Sequence, residues 1–267
     1  MRPLPRRVQP GLVGVAALAL LLGACGSDAS AGPAPLAADP AGAETGPTVS
    51  VEFSDDGSAS GTIVPTADHS LIATAVGSSV VAFTEPGGDV PAAELANPIA
   101  SGAPLTLLVL DDGTGPWIKV LLPVRPNGTV GWVAATDVTL AATSYRIEVD
   151  VSDHQLQVFR QGEPIVTAPV AIGTGETPTP LGSFYLIELL QPPDPEGDYG
   201  PYAFGLSGFS ESLDRFNGGA AVIGIHGTNQ PESLGTDVSH GCIRVGNDVI
   251  TELAGVLPLG TPVVIRA

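Results

Sequence analysis

Between residues 70 and 140 the apolar residues come only in short runs, at 71–76, 80–83, 105–110, 117–122 and 130–133. Turn residues separate them, notably Asp111-Asp112-Gly113 and Pro126-Asn127-Gly128. A run of four to six residues bounded by such signals has the length of a strand, not of a helix. The segment WIKVLLPVRPNGTVGWV reads as two strands about a tight turn, each carrying a tryptophan, Trp117 and Trp132. With 34 glycines and 26 prolines among 267 residues, the chain as a whole is built for turn-rich β structure.

A second region opens at 145. Tyr145, Ile147, Val149 and Val151 alternate with Arg146, Glu148 and Asp150, the pattern of a half-buried strand. Asp153 and His154 mark a turn, Leu156 and Val158 a strand, Gln161-Gly162-Glu163 another turn, and 164–172 a further strand, so the region begins as an antiparallel meander. The glycines of GTGETPTPLGSF at 173–184 do not make a phosphate loop, because no Gly-Lys-Ser/Thr ending and no helical pattern follows. A strand is expected over 183–190. Residues 191–220 are polar and rich in Gly and Pro, and read as a long loop that forms a lid or cleft wall. An apolar strand at 221–225 then runs directly into His226. Asn247 is placed to cap a short helix over 248–255, which Pro258 and Gly260 stop, and 261–265 is a closing strand.

The other end of the chain is of a different kind. Arg2, Arg6 and Arg7 precede an apolar run at 11–22 that is short for a membrane span, the pattern of an export signal. Leu22-Gly23-Ala24-Cys25 resembles a bacterial lipobox. That resemblance implies a signal peptide over 1–24, lipidation of Cys25, and a protein held at the outer face of the cell membrane, acting in the wall or periplasmic space. Residues 25–69 are dominated by Ala, Gly, Pro, Ser and Asp and read as a disordered tether. A formal charge of −18 argues against nucleic acid as a partner.

Chemistry concentrates at 226–244, HGTNQPESLGTDVSHGCIR. It holds His226, His240 and Cys242, the last being one of only two cysteines. A thiol with a pKa of about 8.5 is mostly protonated at neutral pH, and an adjacent imidazole that takes its proton makes it a nucleophile. Gly241 and Gly227 leave space beside the reactive groups, and the N–H of Gly241 is a candidate for an oxyanion hole. Arg244 can hold a substrate carboxylate with two parallel hydrogen bonds or enter a structural ion pair. Three other readings stand beside the nucleophile: a Cys25–Cys242 disulfide, which lipidation of Cys25 would preclude; a zinc site of His226, His240 and Cys242; and an inert buried cysteine.

The blocks IHG at 225–227 and SHGCIR at 239–244, in that order and spacing, resemble the signature of the L,D-transpeptidase catalytic domain. The strands from 145 and the TPTPLGSF segment resemble that family too, so the likeness spans 144–267. It implies a mainly β fold: a β-sandwich catalytic domain with one or two short helices, preceded here by a module at 70–140 that resembles a small SH3-like β-barrel. It implies Cys242 as nucleophile, His226 as general base oriented by the Gly227 carbonyl, and His240 as a supporting group. Gly241 and Cys242 would line the oxyanion hole, and Ser239 and Arg244 would support the loop and the substrate. Some relatives add a loop tyrosine, for which Tyr202 is the candidate. The implied reaction is transfer between peptidoglycan stem peptides through a thioester, with no cofactor and no metal. An L,D-carboxypeptidase, with water as acceptor, and a non-catalytic wall-binding lipoprotein are the alternatives.

Overall fold

The computed structural model describes residues 69–267 except Asn217, together with a strand pair, β1 (Glu52–Phe53) and β2 (Ala59–Ser60), within the expected tether. The signal peptide over 1–24, the lipidated Cys25 and the rest of the tether lie outside the described residues.

The upstream module is one antiparallel sheet. Its strands are β3 (Ser70–Ala75), β4 (Ser79–Phe83), β5 (Pro91–Ala96), β6 (Thr106–Val109), β7 (Trp117–Leu121), β8 (Val130–Ala134) and β9 (Val138–Thr143), ordered β5-β4-β8-β7-β6-β3-β9. Alternation sets the faces: Ile118, Val120 and Val133 join Leu71, Val80 and Leu107 in the core, while Trp117, Lys119 and Trp132 point outward. The two tryptophans are therefore half-buried on the outer face and not in the core. Trp117 meets Phe83 edge-on at 5.5 Å, and the Lys119 ammonium lies 6.0 Å from the Trp132 ring. The Asp111 turn closes as its residues suggest, with Oδ1 accepting from Gly113 N–H at 3.0 Å and Oδ2 from Lys119 N–H at 2.7 Å.

The second domain runs β10 (Tyr145–Asp150), β11 (Gln155–Arg160), β12 (Glu163–Pro169), β13 (Ile172–Gly173), β14 (Gly182–Leu190), β15 (Ala203–Phe209), β16 (Arg215–Phe216), β17 (Gly219–Ala220), β18 (Val222–His226), β19 (Asp237–Ser239), β20 (Ile243–Arg244), α1 (Asn247–Val256) and β21 (Pro262–Arg266). Eight of these form a mixed sheet ordered β12-β11-β10-β21-β14-β15-β18-β20. Its parallel pairs are β10–β21 and β18–β20. Ile147, Val149, Phe184, Phe204, Ile225, Ile243 and Val263 fill one core, onto which α1 packs Ile250 and Leu253. The protein is mainly β with a single α-helix among the described residues.

Two expectations are corrected here. Residues 191–220 are not one loop: β15 crosses the middle of the sheet between β14 and β18. The glycines that suggested a loop are there for close approach. A Cβ at Gly205 would strike the Glu188 side chain, and one at Gly208 would strike the Phe184 ring. The expected loop reduces to two flanks, 191–202 and 210–221. Asn247 is the first helical residue and not the cap, which is Gly246. Its Oδ1 instead accepts the Thr228 N–H at 2.8 Å.

The second domain contributes to the core of the upstream sheet. Tyr185 of β14 is fully buried among upstream residues, and its hydroxyl donates to the Leu121 carbonyl at 3.1 Å. Burying a ring of this size with its hydroxyl satisfied contributes on the order of 2 kcal/mol.

Candidate active site

Strand register brings the predicted residues together. In the parallel pair β18–β20, Ile225 lies opposite Ile243 and His226 opposite Arg244. The isoleucines point into the core, so the alternate residues share the other face. These are Gly224 and His226 on one strand, and Cys242 and Arg244 on its neighbour. A Cβ at Gly224 would come within 2.8 Å of the Phe204 carbonyl oxygen.

His226 ends β18 and is buried. Its Nδ1 lies 2.7 Å from the Gly227 carbonyl oxygen. A carbonyl only accepts, so Nδ1 carries the proton, and the neutral ring presents a bare Nε2 as its basic atom. Burial is the main influence on its pKa, which it holds down to about 4 with help from the nearby Arg244 charge; the Gly227 hydrogen bond and Asp198 oppose this. Cys242 is half-buried. Burial pushes its thiol above the ordinary value, while a backbone hydrogen bond from Gly224 and the Arg244 charge pull the other way. The resting pair is thus neutral thiol and neutral imidazole, not a preformed thiolate–imidazolium.

The SHGC turn is held from inside. Ser239 Oγ donates to the Cys242 carbonyl at 2.6 Å and accepts the Gly241 N–H at 3.0 Å. The N–H of Gly241, expected to line an oxyanion hole, is therefore occupied by Ser239. What Gly241 supplies is backbone shape: its φ of +114° is open to glycine and strained for other residues. The TPTPLGSF segment clamps the same turn. Thr179 Oγ1 accepts the Gly173 N–H at 2.9 Å and donates to the Gly241 carbonyl at 3.0 Å. Thr177 Oγ1 donates to the Ser239 carbonyl at 3.2 Å.

Arg244 is tied through its backbone to Ala171, with N···O distances of 2.8 and 3.0 Å. Its guanidinium enters no ion pair among the described residues. Nη1 reaches Gln230 Oε1 only at 3.5 Å, and the buried Nε has no partner. A buried donor without a partner is costly, and a substrate carboxylate would satisfy it. His240 is exposed and its ring lies 5.3 Å from that of Phe216 on β16. His240, Cys242, Leu213, Phe216 and Val222 share the lining of one depression.

The tyrosine whose ring meets His226 is Tyr199, whereas the candidate Tyr202 lies elsewhere. Tyr199 packs on His226 with ring centroids 4.7 Å apart. Tyr202 packs against the domain core, and its hydroxyl accepts from Gln191 Nε2 at 3.2 Å. Parity explains the correction. Ala203 is in register with His226, so Tyr202, one residue earlier, turns to the opposite face. Asp198 reaches the site on the same flank and accepts from Asn229 Nδ2 at 3.0 Å. The flank sits close because Gly200 and Gly227 meet backbone to backbone over Asn247, with no room for a Cβ on either.

Residues 144–265 match the family model of the YkuD L,D-transpeptidase catalytic domain. The YkuD protein of Bacillus subtilis, assigned as an L,D-transpeptidase, is 33% identical over 152 residues, which cover 55% of this chain and 84% of that protein. Its Bacillus licheniformis counterpart is 37% identical over 119 residues, 45% of this chain and 64% of that one, so the chain spans just under two thirds of its length. Among solved structures, an L,D-transpeptidase from Mycobacterium smegmatis superposes with a TM-score of 0.37 at 20% identity, over 54% of this chain and 76% of that one. On the match of its second domain and on a Bacillus subtilis relative covered over most of its length, the chain belongs to the L,D-transpeptidase (YkuD) family.

Proposed function

We propose that the protein is a peptidoglycan L,D-transpeptidase in which Cys242 is the nucleophile and His226 its general base. The observation that supports this reading most is the buried His226 ring, with its proton fixed on Nδ1 by Gly227, on the sheet face that also carries Cys242. Nε2 takes the Cys242 proton as sulfur attacks the carbonyl carbon of the third stem residue. The tetrahedral intermediate collapses, His226 gives the proton to the departing amine of D-alanine, and a thioester remains on Cys242. An acceptor amine, losing its proton to Nε2, attacks the thioester, and the thiolate leaves and is reprotonated. Because the resting pair is neutral, proton transfer accompanies the attack and does not precede it.

Arg244 is the carboxylate anchor in this reading, since its Nε lacks a protein partner. His240 and Phe216 form an apolar wall for the peptide. Lipidation at Cys25 and export would hold the enzyme at the outer face of the cell membrane, with the SH3-like module preceding the catalytic domain in the chain. The test is mass analysis of muropeptides after incubation of tetrapeptide-bearing peptidoglycan fragments with the pure protein. Free D-alanine with a cross-linked dimer supports transpeptidation. Free D-alanine with a tripeptide stem alone identifies an L,D-carboxypeptidase, and intact substrate refutes the proposal.

A further inference from the structure

The cleft wall beside Cys242 is not held by the second domain alone. Leu213 and Phe216, which line the depression with Cys242, both belong to the 210–221 flank. Its hairpin has only two residues in each strand, and those strands are exposed. So short a ribbon has little stability of its own. Its position depends on its stem, 209–213, and the stem is gripped from the upstream sheet.

The grip comes from the loop between β7 and β8. Arg125 Nη1 donates to the Ser210 carbonyl at 2.7 Å and Nη2 to the Leu213 carbonyl at 2.9 Å, while the guanidinium lies 4.9 Å from the centre of the Phe209 ring. Asn127 Nδ2 donates to the Phe209 carbonyl at 2.8 Å, and its Oδ1 accepts the Phe209 N–H at 2.9 Å. All four bonds go to main-chain atoms of the stem, within which Ser210 Oγ also accepts the N–H groups of Ser212 and Leu213 at 3.3 and 3.1 Å. Two of the four come from a charged donor, and the planar fork of Arg spans carbonyls three residues apart, which a Lys ammonium cannot do. The upstream sheet is itself anchored by Tyr185.

We propose that Arg125 and Asn127 are positioning residues of the catalytic reaction: they fix the flank that forms the cleft wall and so set how the acylating peptide is admitted to Cys242. The upstream module is then part of the enzyme's specificity apparatus. The nature of that peptide rests on the transpeptidase reading; the clamp itself does not.

The test uses the full chain with Arg125→Ala, Arg125→Lys and Asn127→Ala. Hydrogen exchange is read by mass spectrometry, and kinetics are read with a tetrapeptide donor. Loss of either side chain is expected to speed exchange in 210–221 by about tenfold, with β10 and β21 unchanged. KM for the donor is expected to rise about fivefold with kcat held within about twofold, and Arg125→Lys to fall between Ala and wild type. Unchanged exchange in 210–221 would overturn the proposal. So would faster exchange throughout the sheet with KM unchanged, the mark of general destabilisation. A wild-type protein that fails to turn over the tetrapeptide refutes the transpeptidase reading, while exchange still decides the clamp.

Discussion

His226 makes folding stability depend on pH in a direction that can be worked out. In the unfolded chain its imidazole titrates near 6.5; in the folded protein burial and Arg244 hold it down to about 4. Between those values the unfolded chain binds a proton that the folded one refuses, so stability falls as pH falls. At about 1.36 kcal/mol for each pH unit, the full effect is about 3 kcal/mol, and about 2 kcal/mol is lost between pH 7.5 and pH 5. Other groups also titrate in that range, so the reference is His226→Asn, whose amide N–H can still donate toward the Gly227 carbonyl but has no proton to gain. Urea unfolding of both proteins at pH 7.5 and pH 5 isolates the difference. Wild type is expected to lose about 2 kcal/mol more than the variant. Equal losses would refute the reasoning, because they would mean that His226 charges freely in the folded state.

Other consequences follow from the same geometry. Cys242 in a neutral pair predicts slow alkylation by iodoacetamide at pH 6–7, with a rate still rising above about pH 8.5; a plateau from low pH would indicate a preformed ion pair. His226→Ala should slow acylation by at least about a hundredfold, the range of general-base catalysis, and His240→Ala by less than about tenfold; the reverse order in stopped-flow acylation would reassign the base. Thr179→Val removes the bridge between Gly173 and Gly241 and leaves a buried N–H unpaired, so unfolding should show a loss of about 1–3 kcal/mol, together with slower acylation.

The sequence exposes what depends on residue identity and short-range pattern. Cys242, His226 and the strand feeding His226 are legible because an apolar run ends at a histidine and a thiol lies in a glycine-flanked turn. What depends on partners far along the chain is not legible. Gly205 and Gly208 read as loop residues, yet they serve a central strand that needs to approach Glu188 and Phe184 closely. Tyr202 and Tyr199 are equivalent choices until the register of β15 with β18 decides which faces His226. Asn247 is a sound cap by local rules, but a more distant backbone N–H at Thr228 takes its side chain. The Pro126-Asn127-Gly128 signal announces a turn, while the grip of that turn on Phe209 requires two domains to be seen together. The engagement of the Gly241 N–H is short-range but equally hidden: the hydroxyl that takes it belongs to Ser239, two residues earlier in the same motif.

The central claim is that acyl transfer passes through the sulfur of Cys242. Intact-mass spectrometry of the protein mixed with a tetrapeptide stem, in wild type and in Cys242→Ala, tests it directly. The account predicts a transient wild-type adduct that raises the protein's mass by that of the stem less free D-alanine, mapped by digestion to Cys242, and none on the variant. An adduct that persists in Cys242→Ala would contradict it, as would D-alanine release at the wild-type rate by that variant.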